Sequence, residues 1–300
     1  MRRLRILTWA TRPDYLRSLA QTAHELVVVS PGEGRSAHGE LAPNVHEITA
    51  AEARGQKFDL ILFQRPQHYL DEQYEILAPA QRRVPKIYLE HEPPREHPVD
   101  SRHVVTEASV LVVHVSHFNR LMWDHGHTPS RVIEPGVIPP AAAYSGELDR
   151  GLAVLEHVTR RRALGIDLYD EAKKRAALDL TLELDPRAAA RYRFFFFPAR
   201  YASPTFSLLR AMMIGMPVLT YGAGGIDGVV RHGIDGFVEA DPATLVQRMR
   251  ELFADRQRAA LLGAAARQNA LARFGIARFV ADWNRLFSEL TQAPAARDAA

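Results

Sequence analysis

The segment 194–237, FFFFPARYASPTFSLLRAMMIGMPVLTYGAGGIDGVVRHGIDGF, carries the groups best suited to hold an anion. Its apolar run 194–197 is a buried strand that Pro198 terminates. Ser203 followed by Pro204 is a helix cap and a first-turn proline. Phe206, Leu208, Leu209, Met212 and Met213 then recur at helical spacing, and Gly215 closes the helix before a strand over 216–221. The glycines Gly222, Gly224, Gly225 and Gly228 lie just past that strand. This is one β-loop-α-β-loop unit of a parallel sheet. Its loops collect at the carboxyl ends of the strands, where such sheets take ligands. A helix N-terminus there, with its unsatisfied N–H groups, favours an anion such as a diphosphate.

A second group of polar residues follows a strand at 86–89: Glu90, His91, Glu92, Arg95 and His97. His91 is either a polar group at a ligand-binding edge or a loop histidine hydrogen-bonded for structure. The charged residues beside it suit a solvated loop stiffened by Pro93 and Pro94. Seven histidines fall between His91 and His127. They lack the H-E-x-x-H spacing or any comparable ligand pattern, so structural roles are expected and no metal. Ser116 reads as the cap of a helix starting near His117. Gly222, Gly224 and Gly228 give G-x-G-x-x-x-G, near a dinucleotide fingerprint. However, the helix after it is very short and no acidic residue follows in a strand, which argues against NAD.

The elements that must position these groups alternate along the chain. Strands are expected at 4–9, 26–29, 58–63, 86–89, 110–113 and 131–134, with helices at 13–22, 69–82 and 117–124. The proline-rich stretch 135–140 marks a boundary. Beyond it, strands at 152–155 and 178–182 and helices at 168–175 and 187–191 lead into the unit described above. Helices follow at 242–253, 256–273 and 277–290. Strands separated by helices imply right-handed βαβ crossovers and parallel sheets. Two such domains facing each other leave a cleft, a common place for a small-molecule site.

Three hundred residues suffice for two domains, and 47% apolar with 24% charged residues is a globular composition. The formal net charge is only +3. The arginine content suits an acidic ligand or a peripheral membrane contact, whereas the basic clusters are too short for a nucleic-acid stripe. Cysteine is absent, so disulfides and a thiolate nucleophile are excluded. The apolar run 6–10 is too short for a signal-peptide core, and no segment is apolar enough to cross a bilayer. A cytoplasmic location is the expectation. The oligomeric state is left open.

With the motifs placed, the chain resembles a two-domain GT-B glycosyltransferase, similar to the retaining family 4 enzymes. IYLEHEPPREHP at 87–98 resembles the strand and loop that carry an active-site histidine. VHVSHFNRLMWDHG at 113–126 resembles the family's "V-S" segment, and VIEPGV at 132–137 its "I-P-N-G-V" hinge. The stretch 208–238 resembles "LLEAMA-G-PVV-T--GG--E-I--G--G-LV", the donor-binding core. Arg273-Phe274-Gly275 matches the ending before the last helix. The resemblance implies domains at 1–135 for the acceptor and 136–275 for a nucleotide-sugar donor. It also implies a terminal helix, 276–291, crossing back to the first domain, and a tail at 292–300. It implies hexosyl transfer with retention, no metal and no cofactor, to an acceptor that it does not identify. His91 would be catalytic. Arg200, Thr205, Phe206, Arg210, Gly224 and Gly225 would contact the donor, with the basic run 160–162 a further candidate. Thr11 and Arg95 would contact the acceptor.

The pattern breaks at the donor site. The family's two glutamates flanking the donor helix fall on Ala202 and Arg210, and the glutamate after the glycine pair falls on Gly228. Pro204 removes an N–H from the loop, and the stretch 175–193 is short. A carboxylate accepts from ribose hydroxyls; a guanidinium only donates, and it pairs with phosphate instead. Three possibilities stand: a donor gripped differently, a site completed by a partner chain, or a homologue that has lost catalysis and binds or scaffolds.

Overall fold

A computed structural model describes residues 2–30, 42–155 and 162–292. The chain divides into two compact units, Met1–Gly136 with Ile276–Ala300, and Val137–Gly275. Each is a parallel α/β sheet, the fold class expected of the sequence.

The first unit runs β1 (Arg5–Trp9), α1 (Pro13–Leu19), β2 (Glu25–Val29), β3 (Val45–Ile48), α2 (Ala50–Ala53) and β4 (Leu60–Phe63). A π-turn (His68–Glu72), α3 (Gln73–Ile76) and a 3-10 turn (Gln81–Arg83) follow. The unit then continues through β5 (Lys86–Glu90), β6 (Val110–His114), α4 (His117–Met122) and β7 (Ser130–Val132). The strand order is β3-β2-β1-β4-β5-β6-β7, with every pair parallel. Order reverses direction between β1 and β4, so the loops leaving these two strands diverge and open a crevice at their carboxyl ends. Leu60–Phe63 is buried throughout, as a strand covered on both faces should be.

The second unit runs β8 (Leu148–Val154), α5 (Ile166–Lys173), β9 (Leu178–Thr181), α6 (Pro186–Ala189), β10 (Tyr192–Phe197), α7 (Phe206–Ile214) and β11 (Val218–Tyr221). After a 3-10 turn (Ile226–Gly228) come β12 (Gly236–Glu239), α8 (Pro242–Ala254) and α9 (Arg256–Phe274). Its five parallel strands are ordered β12-β11-β10-β8-β9. The reversal lies between β8 and β10, which puts the loop between β10 and α7 at this unit's crevice. The four phenylalanines 194–197 are buried on both faces of the sheet.

The terminal helix α10 (Ile276–Gln292) belongs to the first unit. Phe279, Trp283, Leu286 and Phe287 form its buried stripe at helical spacing. Phe279 meets Tyr15 edge-on at 5.4 Å, and Phe287 meets His24 at 5.3 Å. Gly136 passes so close to Phe279 that a Cβ there would overlap its ring.

The continuous helix expected over 69–82 is broken. Leu77 is extended, and Pro79 disfavours helical backbone at Ala78 before it. Strands β3 and β12, short edge strands with partly polar faces, escape the sequence reading, whereas the edge strands β7 and β9 were expected. Helix α2 escapes it too, although Thr49 and Glu52 form a complete capping box. The run 160–162 and the tail 292–300 lie, apart from Arg162 and Gln292, outside the described residues.

Candidate functional site

In the second unit the helix start is displaced from Ser203 to Thr205. Thr205 has extended backbone, and its Oγ1 accepts from the Leu208 N–H at 3.2 Å. Ser203 precedes a proline and lies three residues before Phe206, where the apolar periodicity begins. Thr205 therefore takes the cap, and Pro204 lies outside the helix rather than in its first turn. The N–H groups of Phe206 and Ser207 are the other donors of the first turn. Helix α7 closes at Gly215, whose φ is 103°.

Arg210 lies one turn into α7 and is half-buried. Helical side chains lean toward the N-terminus, and the guanidinium stands over the Phe206 ring at 5.7 Å. Its charge thereby sits by the first turn. Arg200 is differently placed. Its guanidinium grips Asp167 through both nitrogens, at 2.6 and 2.9 Å, and also donates to the Arg162 carbonyl at 2.9 Å. The Arg200 hydrogen bond, ahead of other influences, holds the Asp167 carboxyl below its ordinary pKa. Arg200 is thus a clamp between the loop after β10 and the start of α5. The backbone repeats the clamp, because the N–H groups of Arg200 and Tyr201 both donate to the Ala163 carbonyl.

Gly224 and Gly225 have φ of 64° and 72°, the left-handed turn that glycine tolerates. A Cβ on Gly224 would come within 3.0 Å of the Arg200 carbonyl, so this turn presses on the same loop. Of the three positions where a glutamate was expected, Ala202 is buried in the apolar core. Gly228 faces open space, with room for a side chain.

In the first unit, His91 follows β5 and is half-buried. Its Nε2 is 3.0 Å from Gln64 Oε1, and its ring meets Tyr15 edge-on at 5.0 Å. Burial, then the charges of Arg12 and Arg65, hold its pKa well below the usual histidine range, so the ring is neutral at physiological pH. Thr11 lies in the turn after β1. Its buried Oγ1 has no hydrogen-bond partner among the described residues. Arg95 is exposed and shares the Glu92 carboxylate with Arg12, at 3.6 and 2.7 Å respectively. Glu90 accepts from the Glu92 N–H and faces His103 at 3.4 Å. These carboxylates hold the loop in shape. Gln64 and Arg65, at the end of β4, went unnoticed in the sequence. The signal was present: polar residues directly after a four-residue apolar strand.

The clustered histidines pack on one another. His114 Nε2 is 2.6 Å from His125 Nε2, and His103 meets His114 edge-on and stacks on His125. Among the described residues no group of three or more histidines, cysteines or carboxylates is placed to hold a metal ion. Ser116 caps α4 through the Asn119 N–H at 3.0 Å. No helix among the described residues is long and apolar enough to cross a membrane.

Residues 182–255 match the sequence model of the glycosyl transferases group 1. No curated protein sequence gives a significant match. Among solved structures, sucrose-phosphate synthase from Thermosynechococcus elongatus is similar at a TM-score of 0.76 and 12% identity. That likeness covers 97% of this chain and 100% of the other. HepE of Anabaena, solved with UDP and glucose, is similar at 0.71 and 14% identity, covering 96% and 100%. A glycosyltransferase from Rickettsia africae is similar at 0.68 and 11% identity, covering 98% and 100%. The chain has the two parallel-sheet α/β units of the GT-B fold, and over residues 182–255 it is similar to the glycosyl transferases group 1.

Proposed function

We propose that the protein is a retaining glycosyltransferase that moves a sugar from a nucleoside-diphosphate donor to an acceptor hydroxyl. The observation that carries this is α7. Its N-terminus lies at the crevice of the second unit, inside the segment similar to the glycosyl transferases group 1. The donor diphosphate would rest on the first-turn amides, with Arg210 supplying positive charge. In the transfer, the bond from the anomeric carbon to the diphosphate oxygen breaks and a bond to the acceptor oxygen forms. The nucleoside diphosphate leaves, and the acceptor's proton passes to the departing diphosphate oxygen. The amides and Arg210 would stabilise charge growing on the leaving group, without a metal. The structures of HepE with UDP, and with UDP-glucose, favour a uridine donor as the first to test. Thr11 and His91 would face the acceptor in the first unit.

A panel of UDP- and GDP-sugars, read by nucleotide release, tests the proposal; turnover with one donor supports it. The loss of carboxylates at Ala202, Arg210 and Gly228 favours a second reading, a homologue that binds without turnover. Calorimetry separates the two: binding without release supports the second, and neither binding nor release removes the first. Arg210→Ala is expected to weaken UDP binding by about 1.5–3 kcal/mol, the range for hydrogen bonds to charged groups. Unchanged affinity would strike Arg210 from the site.

A further inference from the structure

We infer that Gln64 is a positioning residue that fixes the tautomer of His91, holding the proton on Nε2 and the lone pair on Nδ1. The inference rests on the proposal that His91 serves sugar transfer, but its geometry stands apart from it. Gln64 is buried at the carboxyl end of β4, at the crevice between β1 and β4. Its Nε2 has two neighbours, Thr8 Oγ1 at 2.8 Å and the Trp9 carbonyl at 3.2 Å. Thr8 is fully buried, and its hydroxyl proton goes to the Leu62 carbonyl at 3.0 Å. Thr8 Oγ1 therefore receives from Gln64, and the Trp9 carbonyl can only receive. Both neighbours demand the amide NH2 group. A flipped amide would set oxygen against a carbonyl oxygen in a buried site.

The Gln64 Oε1 is consequently turned to His91, and an oxygen 3.0 Å from Nε2 must receive a proton from it. In a neutral imidazole that leaves Nδ1 as an acceptor. The chain Leu62, Thr8, Gln64, His91 thus carries a direction from the backbone of β4 to a ring outside it. Whatever group meets His91 at Nδ1, from a substrate or from the protein, must be a donor, a role that a sugar or acceptor hydroxyl can fill and a bare phosphate or carboxylate oxygen cannot. Nothing in the sequence pointed to this pair, since 26 residues separate positions 64 and 91.

The test is a two-bond proton–nitrogen NMR correlation on nitrogen-15-labelled protein, which reads the tautomer without turnover. The wild type is expected to show His91 protonated at Nε2. Gln64→Met, equal in length but without the amide, is expected to give a mixture of tautomers. With the best donor, kcat should fall on the order of 10²-fold while the donor KM stays within about twofold. The wild-type spectrum by itself tests the idea if the Met variant does not fold. A wild-type ring protonated at Nδ1, or a tautomer unmoved by Gln64→Met, would overturn the inference. If no donor supports turnover, the transferase proposal fails while the NMR result still decides the role of Gln64.

Discussion

Taking the protein from pH 7 to pH 4 is expected to remove about 3 kcal/mol of folding stability through His114 alone. His114 is fully buried at the end of β6, and burial, then repulsion by His125 and His103, pushes its pKa down to about 2. In the unfolded chain it titrates near 6.5. Below that value the unfolded state binds a proton that the folded state refuses, so stability falls as pH falls, from about 6.5 down to about 2. Each pH unit in this window costs about 1.4 kcal/mol. His68 acts in the same direction. It is buried against Trp9, with ring centroids 4.7 Å apart, and burial holds its pKa at about 3. Against a total of roughly 5–15 kcal/mol, two such groups bring the protein close to acid unfolding near pH 4. Urea midpoints measured from pH 7 to pH 4 check this, and His114→Phe should flatten the slope. A midpoint constant across that range would show that the cluster accepts protons without strain.

Gly165→Ala is expected to cost about 3 kcal/mol or more and to abolish the nucleotide binding proposed above. Gly165 has φ of 75° and is buried at the N-cap of α5. A Cβ there would overlap the Pro198 carbonyl, which is backbone and cannot turn aside. The overlap falls where Arg200, Tyr201, Ala163 and Asp167 clamp the loop leading to α7. Relief of the clash must move the segment that aims the helix N-terminus. Gly233→Ala supplies the control. Its φ is 74° and its added Cβ meets nothing within 4 Å. It should show only the left-handed backbone penalty, about 1–2 kcal/mol. Equal losses of stability in the two variants, by urea melting, would mean that the loop yields to the added methyl.

The buried strands were legible because continuous apolar runs such as Leu60–Phe63 and 194–197 have few alternatives to a covered parallel sheet. The amphipathic stripe of α10 was equally plain. The edge strands β3 and β12 were not, since their residues are half polar, although the edge strands β7 and β9 were expected at 131–134 and 178–182. At the candidate site, α7 and its glycine stop were visible from local pattern, whereas the choice of Thr205 over Ser203 as cap depended on competition between neighbours. Arg200 read as a cation for phosphate, but its partner Asp167 lies 33 residues away in the chain.

Local chemistry, acting over a few residues, settled in the sequence itself which segments become strands and helices. It also settled that a helix tip follows β10 and that carboxylates are missing at Ala202, Arg210 and Gly228. Tertiary structure alone decided which polar groups are already satisfied: Arg200 by Asp167, Arg12 and Arg95 by Glu92, His91 by Gln64. Those pairings depend on strand order, since β1, β4 and β5 become neighbours only when the sheet assembles, and periodicity along the chain carries no information about adjacency across it.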